Sequence, residues 1–148
     1  MKIVVGSDHA GFPMKAELVA FIRSRGHEVT DVGSHDPDPV DFPDIARKVA
    51  AAITSGAAER GLMVCGTGVG ASIGANKMKG IRAAVCHDVH SAHQCVEHDD
   101  VNVMCIGAQI VGPWLAKDLI AAYLGAKFST AEEFRRRVAK LADMDAGR

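Results

Sequence analysis

Val64-Cys65-Gly66-Thr67-Gly68-Val69-Gly70-Ala71-Ser72 joins the end of an apolar run to a helix of small residues through a glycine-rich turn. A strand ending in such a turn presents its last side chain, here a thiol, beside backbone N–H groups that the turn leaves unpaired. Those groups, with a helix N-terminus behind them, suit an anion that is bound or forming. A thiol in that field is expected to have a lowered pKa, which makes Cys65 a candidate base or nucleophile beside an anion hole. The same residues also read as a plain strand-to-helix connection with a small buried cysteine, so this stretch alone leaves chemistry and packing both open.

Outward from this unit the chain repeats one pattern. Apolar runs predict strands over 2–6, 28–32, 62–65, 82–86 and 103–106. Between them lie amphipathic segments. Pro13 begins a helix that carries Leu18, Phe21 and Ile22 on one face and stops at Gly26, and further helices are predicted over 43–55, 71–78, 89–97 and 113–124. Strands alternating with helices predict an α/β fold with one open parallel sheet covered on both faces. With right-handed crossovers, the ligand crevice belongs outside the carboxyl ends of the strands, at a topological switch point. Ser7, Asp8, His9, Cys65, Gly66 and Thr67 sit at such ends, and the loop carrying Asp36, Pro37, Asp38 and Pro39 lies where it can cover a ligand.

The segment over 130–144 differs, because no strand follows it. Ser129 and Thr130 followed by Glu132 and Glu133 predict a capping-box start, and Phe134, Val138 and Leu141 an apolar stripe. This extra C-terminal helix is expected to pack on a neighbour, either its own domain or a second subunit.

Composition narrows the function classes. A chain of 148 residues fits one domain over 1–148. The net charge of -1, with both signs interspersed, leaves no basic footprint for nucleic acid. No apolar run approaches membrane-spanning length, and the first residues enter a strand without a signal-peptide pattern, so a cytoplasmic protein with no membrane partner is expected. Cys65, Cys86, Cys95 and Cys105 form no C-x-x-C pair and read as reduced thiols. His87, His90 and His93 recur every three residues near Asp88 and Glu97, which reads as a solvated helix face with no metal site.

Gly6-Ser7-Asp8-His9-Ala10-Gly11-Phe12, the loop over 65–70, Asn76-Lys77, Gly80-Ile81-Arg82-Ala83, and His98 followed by Asn102-Val103 together resemble the type B ribose-5-phosphate isomerase and galactose-6-phosphate isomerase family. The resemblance covers nearly the whole chain in order and spacing. It implies a flavodoxin-like, Rossmann-type three-layer fold with five parallel strands and a homodimer, with association into a dimer of dimers left open. Active sites would be shared across the dimer interface, with the C-terminal helix near it. It also implies cofactor-free, metal-independent interconversion of an aldose phosphate and a ketose phosphate.

Moving a carbonyl from C1 to C2 requires ring opening, removal of the C2 proton and stabilisation of an enediolate. In the family's terms, Cys65 would be the base that shuttles the proton. Backbone N–H groups of Gly66, Gly68, Val69 and Gly70, with Ser72 beside them, would meet the substrate's developing oxyanion, and Thr67 would hydrogen-bond the thiol or the sugar. Some family members place a glutamate base six residues after the cysteine position, but position 71 here is alanine. His98, supplied by the partner subunit, would open the ring. Asp8 would hold a ring oxygen or hydroxyl, its plain alternative being a cap on the following helix. His9 would reach the phosphate end.

Several positions depart from the family pattern. Two arginines four residues apart on the last helix usually contact the phosphate; Arg137 matches the second, and Glu133 stands at the first. Glu133 also suits a capping box and an i,i+4 pair with Arg137. Gln109 occupies a position often held by arginine, Asp99 one usually held by asparagine beside the sugar, and Phe42 one held by tyrosine in some members. The reading is an aldose–ketose isomerase with ribose 5-phosphate as leading substrate. A tetrose or hexose phosphate or an unphosphorylated sugar is the alternative, and a flavodoxin-like binding module the non-enzymatic one.

Overall fold

The computed structural model describes residues 1–147. Five strands, β1 (Lys2–Ser7), β2 (Glu28–Asp31), β3 (Arg60–Cys65), β4 (Ala83–Val85) and β5 (Val103–Gly107), form one parallel sheet in the order β2-β1-β3-β5-β4. The helices are α1 (Phe12–Ser24), α2 (Phe42–Thr54), α3 (Val69–Asn76), α4 (Val89–Asp99), α5 (Pro113–Gly125) and α6 (Glu132–Ala146).

Alternating side chains of the three inner strands supply both cores. Ile3 and Val5, Leu62 and Val64, and Met104 and Ile106 face Leu18 and Ile22 of α1, Val96 of α4 and Leu119, Ile120 and Tyr123 of α5. Val4, Met63, Cys65, Val103 and Cys105 face Ile45 and Val49 of α2 and Ala71 and Ala75 of α3. β1, β3 and β5 are therefore buried on both faces, whereas the edge strands β2 and β4 are short and partly exposed.

The three-layer α/β class matches the expectation, and the strand order adds to it. In the flavodoxin order the last two strands run 4-5 outward; here β5 is inserted beside β3 and β4 is the edge. Cys65 consequently pairs in register with Gly107.

Several boundaries differ from the predicted ones for local reasons. β4 loses residue 82 because the Arg82 N–H bonds the Asn102 side chain at 2.8 Å and its guanidinium engages Asp100. α3 ends early where the Asn76 amide side chain locks both polar groups of the Ala83 backbone, each at 2.8 Å. The capping box on the last helix does not form. Ala131 is the N-cap and no side chain caps it, while Ser129 Oγ accepts the Ala131 N–H in a tight turn. Glu133 forms no ion pair with Arg137 among the described residues; the Arg137 guanidinium lies over the Phe134 ring at 5.5 Å.

α6 has no buried residue, and Leu141 of its stripe is exposed, as is Met144 beyond it. No helix among the described residues is long and apolar enough to cross a membrane.

Candidate active site

β1 sends its following helix toward one edge of the sheet and β3 sends its own toward the other, so the crevice between their carboxyl ends is the switch point. Asp8 follows β1 and Cys65 ends β3. The Cys65 thiol donates to Asp8 Oδ2 at 2.8 Å, and Asp8 Oδ1 accepts the Gly11 N–H at 3.0 Å. Both side chains are buried. Asp8 thus closes the turn into α1, as its plain reading required, and also meets the thiol. A Cβ at Gly11 would lie 1.9 Å from Val64 O, so only glycine lets this turn press against β3.

The glycine-rich turn has the shape the sequence implied. Gly68 sits in the left-handed region at φ 80°, and a Cβ there would also crowd the β5 backbone at Ile106. Thr67 Oγ1 accepts the Val69 N–H at 3.4 Å.

The expected lowering of the Cys65 pKa does not occur. Burial first, then the hydrogen bond and negative charge of Asp8, push the thiol up, while the N–H groups of Gly68 and Gly66 pull it down less strongly. Residue spacing showed the loop dipoles but could not show the carboxylate on the neighbouring strand.

Other expected residues divide into those at this crevice and those elsewhere. The Phe42 ring lies against Gly70 and Gly74, where built Cβ atoms would approach it to 3.0 and 3.5 Å. The Gln109 amide reaches Gly66, with Oε1 3.1 Å from a Cβ built there. His9 is exposed, and its Nδ1 accepts the Val40 N–H at 3.3 Å. Ser72 N–H bonds Gly68 O at 3.0 Å and its hydroxyl bonds Ala83 O at 3.4 Å.

His98, Asp99, Glu133 and Arg137 belong to the other end of the sheet. α4 starts at Val89 beyond the carboxyl end of β4 and returns to precede β5, which puts His98 beside the amino ends of the strands. The length of β5, about 13 Å at strand rise, separates that end from Gly107 and Cys65. Within one chain these residues do not join Cys65.

Phe134, which the sequence placed only in an apolar stripe, stacks on His98 with ring centroids 3.9 Å apart and planes at 16°. Its other neighbour is Arg137, so one aromatic ring carries an imidazole and a guanidinium. The signal was the three-residue spacing of Phe134 and Arg137, which puts them on one helix face.

The histidine series over 87–93 does not form one face. His90 pairs with Gln94, His93 lies 3.5 Å from Glu97, and His87 precedes the helix and accepts the Gly107 N–H. No group of three or more His, Cys, Asp or Glu side chains among the described residues is arranged to hold a metal ion.

A buried cysteine and aspartate joined between the ends of β1 and β3, with the Gly66 and Gly68 N–H groups acting on the sulfur, can exchange a proton with a bound molecule. The ribose/galactose isomerase family model matches residues 3–141. The chain is 44% identical over 135 residues to ribose-5-phosphate isomerase B of Escherichia coli, covering 91% of each protein. It is 41% identical over 131 residues to D-erythrulose-4-phosphate isomerase of Pectobacterium atrosepticum, covering 86% of this chain and 85% of that protein. Among solved structures, ribose-5-phosphate isomerase B of Clostridium thermocellum superposes with a TM-score of 0.96 at 44% identity, covering 99% of both chains. On sequence, fold and the build of the crevice together, the chain belongs to the ribose/galactose isomerase family and is an aldose–ketose isomerase.

Proposed function

We propose that the protein interconverts ribose 5-phosphate and ribulose 5-phosphate through a cis-enediolate formed at Cys65. The observation that carries this reading is the 2.8 Å hydrogen bond from the Cys65 thiol to Asp8 beside the glycine turn. The raised thiol pKa makes an internal acceptor necessary, and Asp8 Oδ2 is in place to take the thiol proton. The thiolate then removes the C2 proton, and the electron pair of that C–H bond moves into the C1–C2 double bond as the carbonyl oxygen becomes an oxyanion. The N–H groups of the 66–70 turn face that oxygen. Transfer of the O2 hydroxyl proton to the O1 oxyanion, with return of the carbon-derived proton from sulfur to C1, gives the ketose and leaves the thiolate, which recovers its proton from Asp8.

Ring opening is assigned to His98 of the partner subunit. The separation of His98 from Cys65 within one chain supports a shared site, since a histidine at the amino ends of the strands reaches such a crevice only from another copy. Next in sequence to His98, Asp99 lines a wide groove together with Ile81, Ala83, Leu141 and Met144, a surface available to that partner. Arg137, carried on Phe134, would accompany His98 to the phosphate, with His9 approaching from the same chain as Cys65.

A four-carbon sugar phosphate is the second reading. Gln109 at Gly66 and Phe42 at Gly70 narrow the crevice from two sides without adding a charge, and Glu133 adds a negative one. The deciding experiment is solvent-deuterium incorporation at C2 across tetroses, pentoses and hexoses with and without phosphate. Fastest exchange on ribose 5-phosphate is expected; faster exchange on a tetrose phosphate selects the second reading, and no exchange on any sugar removes both.

A further inference from the structure

β4 pairs with β5 as far as Val85 opposite Cys105, and the Cys86 N–H still reaches Cys105 O at 3.1 Å. Two residues further, the same register sets position 87 opposite Gly107. The chain turns there toward α4, and the His87 side chain takes the place of a ladder carbonyl: Nε2 accepts the Gly107 N–H at 2.9 Å. An imidazole accepting at Nε2 is neutral, with its proton on Nδ1.

Gly107 is pressed onto the cysteine turn, since a Cβ there would lie 2.7 Å from Thr67 Cα and 2.8 Å from Gly66 O. The two residues after it hold the carbonyls of that turn. Ala108 N–H bonds Cys65 O at 2.8 Å, and Gln109 N–H bonds Gly66 O at 3.0 Å. In a trans peptide the C=O and the following N–H point in opposite directions. Holding the carbonyls of Cys65 and Gly66 against the end of β5 therefore aims the N–H groups of Gly66 and Thr67 away from β5. The Gly66 N–H also acts on the Cys65 sulfur.

We propose that His87 is a positioning residue for the isomerase reaction: it fixes the end of β5, and through the Ala108 and Gln109 amides it sets the direction of the Gly66 and Thr67 N–H groups. The inference rests on reading the 66–70 turn as the oxyanion site. It concerns a residue that touches neither the substrate nor Cys65, and that the sequence assigned to a solvated helix face.

The experiment compares His87→Gln, whose side-chain carbonyl reaches the place of Nε2, with His87→Asn, which is one carbon too short. His87→Asn is expected to lower kcat on the best wild-type sugar about tenfold or more while leaving KM within about twofold, because an oxyanion contact acts in the transition state. His87→Gln is expected to recover most of kcat. Amide hydrogen exchange at Gly107 should be faster in His87→Asn and return toward the wild-type rate in His87→Gln. A folded His87→Asn with wild-type kcat overturns the proposal, and so does a folded His87→Gln as impaired as His87→Asn. If His87→Asn fails to fold, His87→Lys, long but without an acceptor, supplies the same contrast with His87→Gln. A wild-type protein that exchanges no sugar proton defeats the isomerase reading instead. Gly107 exchange and the rate of Cys65 alkylation by iodoacetamide then still decide the tie, and rates equal to wild type in His87→Asn overturn it.

Discussion

The Cys65 thiol and the Asp8 carboxylate meet at 2.8 Å across the boundary between β3 and β1, so the proton on sulfur has a destination before any substrate arrives. Asp8 also raises the thiol pKa, second only to burial. In the proposed reaction this residue hinders ionisation at rest and accepts the proton during turnover, and removing its charge separates the two effects. In Asp8→Asn, the thiol pKa is expected to fall, and iodoacetamide should alkylate Cys65 faster at neutral pH. Turnover should nevertheless drop by about 10²-fold, the low end for general acid–base catalysis. Slower alkylation together with full turnover would remove Asp8 from the proton path.

Cys65→Ala and His98→Asn should each be nearly inactive, with turnover down at least ~10²-fold. Mixed after subunit exchange, they should recover about a quarter of wild-type activity, because half of the dimers are then hybrids and each hybrid holds one complete site of two. Verified exchange without recovery would place both side chains in one subunit's site or strip one of them of its role.

Glu133→Arg combined with Gln109→Arg tests the substrate. For a native sugar phosphate held weakly, the double variant should lower KM roughly tenfold or more, the value of one charge-assisted contact of about 1.5–3 kcal/mol. For a sugar that Glu133 or Gln109 contacts directly, ribose 5-phosphate should improve while the native reaction suffers. Unchanged kcat/KM on both substrates would show that neither position faces the sugar.

Stability should fall on the alkaline side. Burial raises the pKa of Cys105 and of Tyr123, both in the core. Folded chains keep these protons while unfolded chains release them, so the unfolded state binds fewer protons once pH passes the ordinary thiol value of about 8.5 and then the phenol value of about 10. Stability is complete below that window and falls as pH rises through it, by about 1.4 kcal/mol per pH unit for each group. Urea unfolding between pH 8 and 10.5 measures the slope, and Cys105→Ala should make it shallower. An identical slope in the variant would exclude Cys105 as a source.

The alternation of strands and helices was readable because the inner strands are apolar on both faces, and the switch-point crevice follows from that alternation together with the handedness of crossovers. Periodicity carries no signal for the position of β5 between β3 and β4. That placement depends on which edge α4 returns to, a matter of tertiary packing. Cys65 and its turn were legible from local sequence, whereas the sign of its pKa shift was not, because burial of the thiol and the nearby Asp8 carboxylate both come from the fold and not from local spacing. The capping box at Thr130 matched in composition and failed in geometry, since Ser129 turns the chain first. His87 looked like the start of a helical series because spacing alone does not mark where α4 begins.

The segment that leaves the edge strand β2 and runs into the first residue of α2 touches the crevice twice: the Val40 N–H donates to His9, and Phe42 lies on Gly70. The Cys65–Asp8 pair is rooted at the ends of the doubly buried β1 and β3, where substitutions disturb the core. The intervening segment is held chiefly at the surface, and most of its residues are exposed. The two sides of the crevice are thus anchored in parts of the chain with very different freedom to vary. On the proposed mechanism, changes between Ser34 and Phe42 are expected to alter which sugar is admitted while leaving the proton transfers at Cys65 and Asp8 intact.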